Sequence, residues 1–352
     1  MSILVTGCAG FIGSNFVPFF LQQHPDGKII GLDKLTYSGN LENLKGVLEN
    51  PRFVFVKGDV CDSVLVEEVF HQHGIDGVIH FAAESHVDRS IHDPQVFLRT
   101  NILGTQTLLE AAKSSWHNGK QWRPGVKFLQ VSTDEVYGSL GKEGYFTEET
   151  PLDPHSPYSA SKASADLFVK AYHDTFGLPM NITRCSNNFG PYQFPEKLIP
   201  LMIRNALCHE PLPVYGDGKQ VRDWIFVADH CQAIDSVFEK GRLGEVYNIG
   251  GSNERENLGI VKVLLELVRQ KTGDRKVGSH LIRHVQDRLG HDRRYAIDSS
   301  KIREELGWVP STSFEEGMEK TVEWYLANSE WMQKVISGEY VRFYELNYGG
   351  KG

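Results

Sequence analysis

Short apolar runs alternate with helical patterns through the first half of the chain. Residues 3–6, 28–33, 53–58, 77–82 and 127–133 form brief, mostly apolar stretches without strict polar alternation. Strands covered on both faces read this way. Between them, residues 11–23, 63–73 and 94–116 carry apolar positions at helical spacing. Strand–helix–strand units in series predict a parallel, doubly wound α/β sheet. Pro18 falls inside the first helical pattern, where it should kink the helix or cost a hydrogen bond. After Pro179 the rhythm changes. Residues 180–185 read as one more strand, turn-rich segments follow at 187–191 and 215–218, and helices are predicted near 257–271, 299–306 and 313–327. The expected division is a larger domain over residues 1–186, with a returning segment near 224–250. A smaller, mixed α/β domain over 187–223 and 251–352 would lie on the sheet's carboxyl edge. Open α/β sheets bind ligands at that edge. The glycine-rich, polar segment 138–145 is either the least ordered stretch or a loop packed near the site.

A chain of 352 residues suits two coupled domains, and 40% hydrophobic residues suffice for a sizeable core. The net charge of −8 argues against a nucleic-acid binder, which works by neutralising phosphates. An anionic small molecule is still admitted, since a few arginines and a helix N-terminus can hold a pyrophosphate. The cysteines, Cys8, Cys61, Cys185, Cys208 and Cys231, are odd in number and contain no C-x-x-C pair. Neither a disulfide framework nor a metal site is expected, and a reducing compartment fits. The start of the chain reads as a strand rather than a leader, and no stretch approaches the about 20 apolar residues of a membrane span. A cytoplasmic protein without a membrane partner is the expectation.

The first strand runs into Thr6-Gly7-Cys8-Ala9-Gly10-Phe11-Ile12-Gly13, a G-x-x-G-x-x-G pattern that opens a helix. Glycines at Gly7, Gly10 and Gly13 allow a tight turn and let backbone N–H groups approach a pyrophosphate. Asp33 ends the second strand, where a carboxylate can accept hydrogen bonds from ribose hydroxyls and repel a 2′-phosphate. That favours NAD over NADP. Asp59, at the end of the third strand, either meets the adenine edge or caps the helix that starts near Ser63.

Tyr158 and Lys162 stand four apart, hence one turn apart on one helical face. A phenol of pKa about 10 is too weakly acidic to serve as a base at neutral pH. A lysine and a positive nicotinamide ring favour phenolate, so the pair suits proton removal from a sugar hydroxyl as hydride leaves the same carbon. Thr133, at the end of the fifth strand, can donate to the developing carbonyl oxygen. Asp134 and Glu135 follow it directly and add an acid and a base that a plain dehydrogenase lacks. Oxidation at carbon 4 acidifies the hydrogen on carbon 5. Glu135 would take that proton, while a protonated Asp134 would hand one to the leaving hydroxyl on carbon 6. This requires an environment that raises the Asp134 pKa. The alternative is a charged loop pair facing solvent.

The segments TGCAGFIG, LDKLTYSGNLENL, HFAAESHVDRSI, STDEVYG, SPYSASKASAD, CSNNFGPYQFPEKLIP, PVYGDGKQVRDWIFVADH, YNIGG and GHDRRYAID run in order along nearly the whole chain. They resemble the dTDP-glucose 4,6-dehydratases, within the extended short-chain dehydrogenase/reductases. The resemblance implies a Rossmann domain with a smaller sugar-nucleotide domain, tightly held NAD, a dTDP-glucose substrate and a homodimer. It implies that Lys34, Leu35, Thr36, Val60, Phe81, Ala82, Ala83, Ser85, Asn101, Ser132 and Asn188 help hold NAD. Ser85, Thr133, Asn187, Lys197, Leu198, Pro213, Tyr215, Arg222 and Asn257, with Asp287, Arg288 and His291, would line the substrate site. Arg222 and Arg288 would meet the diphosphate, although Arg222 also suits a salt bridge to Asp223. Leu289 departs from the proline common at its place. A 4-epimerase, a dehydratase for another nucleotide and a non-catalytic NAD-binding scaffold stand as alternatives.

Overall fold

The computed structural model describes residues 1–287 and 291–336. Arg288 and Leu289, and the end of the expected smaller domain, lie outside the described residues. The apolar runs of the first half meet in one sheet. Its strands are β1 (Ser2–Thr6), β2 (Lys28–Asp33), β3 (Phe53–Lys57), β4 (Gly77–His80), β5 (Lys127–Thr133), β6 (Met180–Cys185) and β7 (Val246–Ile249). They are parallel and ordered β7-β6-β5-β4-β1-β2-β3. The chain moves outward from β1 through β2 to β3, then restarts at β4 on the other side. The carboxyl ends therefore part at β1 and β4, where such sheets leave a crevice for a ligand.

Both sheet faces are covered, which accounts for strands that are mostly apolar without strict polar alternation. On one face the helices Phe11–Gln23 and Val227–Lys240 bury Phe16, Phe20, Ile234 and Phe238. On the other, the helices Ser63–His73, Gly104–Trp116 and Pro157–Phe176 bury Phe70, Leu108, Trp116 and Val169. A third apolar cluster lies apart from the sheet. It joins Ile203, Leu264, Met318 and Tyr325 from the helices Leu198–Leu207, Asn257–Thr272 and Phe314–Ala327. Two small sheets accompany it. Val221–Phe226 pairs with Asn187–Phe189 and Glu254–Glu256, and Leu212–Tyr215 pairs with Ile282–Val285.

Several details differ from the sequence pattern. The helix Phe11–Gln23 runs unbroken through Pro18, which sits on its exposed face. There the carbonyl that Pro18 leaves without a donor can turn to water. The pattern over residues 94–116 is not one regular helix. A π-helical segment, Leu98–Leu103, interrupts it and turns Asn101 inward. The 138–145 segment is a mostly exposed loop tied back by hydrogen bonds. Leu140 N–H donates to Arg294 O at 3.1 Å, and Arg294 Nη1 donates to Gly144 O at 2.9 Å. The helices Leu198–Leu207 and Val227–Lys240 occupy stretches that the pattern leaves between turns.

Candidate active site

The first cleft opens at the carboxyl ends of β1, β2 and β4. Gly7 turns the chain with φ +69°, and a Cβ there would stand 2.7 Å from Ala82 N. A Cβ on Gly13 would run into the Gly7 carbonyl. Bare backbone thus faces the cleft. The helix that follows has no side-chain cap at Gly10, so its first N–H groups are available to an anion. Asp33 is buried at the end of β2 and accepts from Ala9 N–H at 2.9 Å and from Leu35 N–H at 2.8 Å. Burial raises its pKa, and these two N–H donors pull it back. Asp59 accepts from Lys34 Nζ at 2.6 Å and from Cys61 N–H at 3.0 Å. The helix cap is Asp62 instead, whose carboxylate accepts from Leu65 N–H.

Of the residues expected to hold a dinucleotide, all but Leu35 and Asn101 line this cleft. Leu35 packs against the core beneath, at φ +58°. Asn101 is enclosed behind the wall. It accepts from Glu84 N–H at 2.8 Å and donates to Glu84 O at 3.0 Å and Ser161 Oγ at 2.8 Å. Both stand directly beside residues that line the cleft, Lys34 and Thr36 for Leu35 and Glu84 for Asn101.

Tyr158, Lys162, Thr133, Asp134 and Glu135 meet at the inner end of the cleft. The helix Pro157–Phe176 starts sharply, because Ser156 and Ser159 form a reciprocal capping box and Pro157 fixes the first turn. That places Tyr158 in the first turn and Lys162 one turn on, facing β5. Lys162 Nζ donates to Val131 O at 2.8 Å. Thr133 caps the short turn Asp134–Tyr137, its Oγ1 accepting from Glu135 N–H at 3.3 Å and donating to Asp134 Oδ1 at 3.3 Å.

Asp134 is 2% exposed, whereas Glu135 is half-buried. Burial holds the Asp134 carboxyl well above its usual range, and the nearby Glu135 and Asp223 push the same way against Arg222. The solvent-facing alternative for this pair is overturned. Burial also raises the Tyr158 phenol, with Glu135 adding to it, and burial lowers the Lys162 ammonium. In the protein alone desolvation dominates the phenol, with the Thr133 hydrogen bond pulling the other way; the expected fall includes a positive nicotinamide ring.

A second cavity continues from Glu135 towards the third apolar cluster. Ser85, Asn187, Lys197, Leu198, Pro213, Tyr215, Arg222, Asn257 and His291 all line it, as expected of a substrate site. Asp287 does not line it, but stands behind His291, whose Nδ1 is 2.5 Å from Asp287 Oδ1. Arg222 makes no ion pair with Asp223. It lies 4.1 Å over the Tyr295 ring and donates to Asp292 O at 2.9 Å, while Asp223 accepts from the N–H groups of Gly251 and Asn253. Contacts cross the cavity: Lys197 Nζ donates to Ser85 O at 2.8 Å, and Tyr215 Oη donates to Asp88 at 3.2 Å.

Sequence reasoning missed a cluster between the two cavities. Arg89 Nε donates to Glu196 at 3.1 Å, and its guanidinium lies 3.7 Å over the Tyr37 ring. Glu84 and Glu196 are both buried, and burial raises both carboxyls.

A family model described as GDP-mannose 4,6 dehydratase matches residues 4–321. A dTDP-glucose 4,6-dehydratase from Xanthomonas campestris pv. campestris is 54% identical over 341 residues, covering 96% of each chain. One from Escherichia coli is 51% identical over 354 residues, covering 97% of this chain and 98% of its own. The crystal structure of DesIV, a dTDP-glucose 4,6-dehydratase from Streptomyces venezuelae with NAD and dTDP bound, superposes with a TM-score of 0.88. It is 48% identical, and the match covers 95% of this chain and all of that one.

Proposed function

We propose that this chain, which belongs to the nucleotide-sugar 4,6-dehydratase family, is an NAD-dependent dTDP-glucose 4,6-dehydratase. It oxidises the sugar at carbon 4, eliminates water across carbons 5 and 6, and yields dTDP-4-keto-6-deoxyglucose. The first cleft fits NAD. A glycine turn that has no room for a Cβ at Gly7 or Gly13, an uncapped helix start and a buried Asp33 match a pyrophosphate and a ribose. When bound, NAD takes the hydride from carbon 4 and returns it to carbon 6.

The remaining work falls to side chains. Tyr158 removes the proton of the 4-hydroxyl, with Lys162 favouring its phenolate form, and Thr133 donates to the oxygen as it becomes a carbonyl. Glu135, partly open to the second cavity, takes the proton of carbon 5. Asp134 gives its proton to the hydroxyl leaving carbon 6. Arg222, Lys197 and His291 hold the nucleotide diphosphate in the second cavity, with Asp287 orienting His291.

The observation that carries this reading is the contrast within one adjacent pair. Asp134 is buried and favours its acid form, while Glu135 beside it keeps access to the cavity. Two carboxyls with opposed protonation suit an elimination. Turnover of dTDP-glucose should give a product with the alkaline absorbance of a 4-keto-6-deoxy sugar. UDP-glucose run alongside tests the choice of nucleotide, and formation of a 4-epimer without that absorbance would refute the reading.

The two-domain division at residues 1–186 and 224–250 against 187–223 and 251–352 is proposed on the same footing. The separate apolar clusters support it in outline, although Ile302 and Trp308 pack in the sheet's cluster and Trp224 and Phe226 in the other. A homodimer is proposed as well. Leu98, Leu103, Leu167 and Phe168 are 52%, 54%, 57% and 41% exposed on neighbouring helical segments, a surface that a second copy would cover. All five cysteines are free thiols, which supports a cytoplasmic location. Among the described residues no helix is long and apolar enough to cross a membrane.

A further inference from the structure

Asp134 and Glu135 ride the short turn Asp134–Tyr137, whose last residue is Tyr137. Tyr158, Lys162 and Asp166 follow one another at four-residue spacing down one stripe of the helix Pro157–Phe176. Arg184, on β6, reaches both elements. Its Nε donates to Asp166 Oδ2 at 2.9 Å, and its Nη1 donates to Tyr137 Oη at 2.9 Å. Tyr137 Oη donates onward to Asn248 Oδ1 at 2.8 Å on β7. Asn248 Nδ2 in turn donates to Phe146 O at 3.2 Å. These four side chains belong to residues 0–6% exposed.

We propose that Tyr137, Arg184 and Asp166 are positioning residues, forming a buried strut that holds the elimination pair Asp134 and Glu135 in register with the redox pair Tyr158 and Lys162. The inference rests on the dehydratase reading of those two pairs. Apolar side chains of the same volume often stabilise a fold as much as a buried ion pair or more, so stability alone gives no reason to keep one here. Directional hydrogen bonds do supply registry, which apolar surfaces that slide over one another do not. Burial pushes the Tyr137 phenol up to about 12, so it stays neutral and can accept from Arg184 while donating to Asn248.

The two pairs are anchored unequally. Lys162 is tied to Val131 O, and the neighbouring Ser161 to Asn101. The elimination turn is held by 3.3 Å hydrogen bonds to Thr133 at its start and by Asp153 N–H donating to Val136 O at 3.0 Å, while the Tyr137 hydroxyl ties its far end to Arg184 and Asn248. Loss of the Tyr137 hydroxyl should therefore disturb elimination and spare the redox pair.

Tyr137→Phe keeps the ring stacked on Phe146, at 5.1 Å between centroids, and removes only the hydroxyl. Asp166→Asn weakens the other end of the strut. Rapid mixing with dTDP-glucose, followed by nicotinamide absorbance and product formation, separates the steps. Melting curves and bound NAD are recorded on the same preparations. The wild-type protein comes first: if it yields no 4-keto-6-deoxy product, the dehydratase reading fails and this inference falls with it. If it does, Tyr137→Phe should reduce nicotinamide at close to the wild-type rate, whereas Asp166→Asn, which removes a carboxylate that favours the charged form of Lys162, is read by its fold and its elimination step. Elimination should slow about 10–100-fold, so that reduced nicotinamide accumulates before product. Both steps slowing in proportion in Tyr137→Phe, neither changing, or both variants failing to fold would each assign the network to stability alone and overturn the proposal.

Discussion

Burial raises the Asp134 carboxyl, and its charged neighbours Glu135 and Asp223 add to the rise. The consequence for stability has a definite sign. As pH climbs above the usual carboxylate value of 3.8, the unfolded chain ionises at this position before the folded one does. The folded state then binds more protons, and stability falls with rising pH across that window. Asp134→Asn removes this cost. It should raise Tm at neutral pH by about 2–4 °C, the shift that about 1 kcal/mol gives a domain of this size. The gain should vanish below the carboxylate range, and calorimetry at both pH values checks it. The same variant should slow elimination by about 10²–10⁴-fold while nicotinamide reduction persists. Tyr158→Phe should act in the reverse order, with reduction itself slowed by about 10²–10⁴-fold, read by stopped-flow absorbance. The proposed division of the chemistry between neighbours was suggested by Thr133-Asp134-Glu135, with a solvent-facing charged pair as the alternative that the spacing left open. What the sequence could not supply was burial, which raises the Asp134 carboxyl and, without a cofactor, the Tyr158 phenol as well.

At the scale of elements, the turn from β1 into the first helix tolerates no side chain at Gly7. Gly7→Ala would set a Cβ 2.7 Å from Ala82 N, on a backbone at φ +69° that side chains disfavour. The purified variant should fold yet carry far less NAD than the wild type, measured by cofactor released on denaturation. Wild-type NAD content would remove this turn as the pyrophosphate cradle. Such a turn is legible because glycine is the local signature of its conformation. The sheet strands were legible for a related reason: covered on both faces, they are mostly apolar without strict alternation, and β2 and β5 match their patterns to the residue. Leu98–Leu103 was not legible, since a widened turn keeps the composition of the helix around it. Nor was the strut, whose Tyr137–Asn248 bond joins residues 111 apart in sequence. Contacts of that separation leave no local spacing to read.

The whole molecule sets a nucleotide-sugar cavity against a cofactor cleft, with Glu135, Asn187 and Lys197 lining both. The order of the sheet locates that junction at the carboxyl edge, and the alternation of strands and helices predicted it. A homodimer would bury the exposed Leu103 and Leu167. Leu103→Glu combined with Leu167→Glu should therefore shift sedimentation from two copies to one, and a wild-type profile would exclude this face. The account as a whole claims that the hydride taken from carbon 4 ends on carbon 6 of the same sugar. That is tested most directly with dTDP-glucose carrying deuterium at carbon 4, turned over by the holoenzyme and read by mass and NMR analysis of the product. The label should appear in the methyl group at carbon 6 of a 4-keto-6-deoxy sugar. Label retained at carbon 4 of an epimerised hexose, or lost to free reduced cofactor, would contradict it.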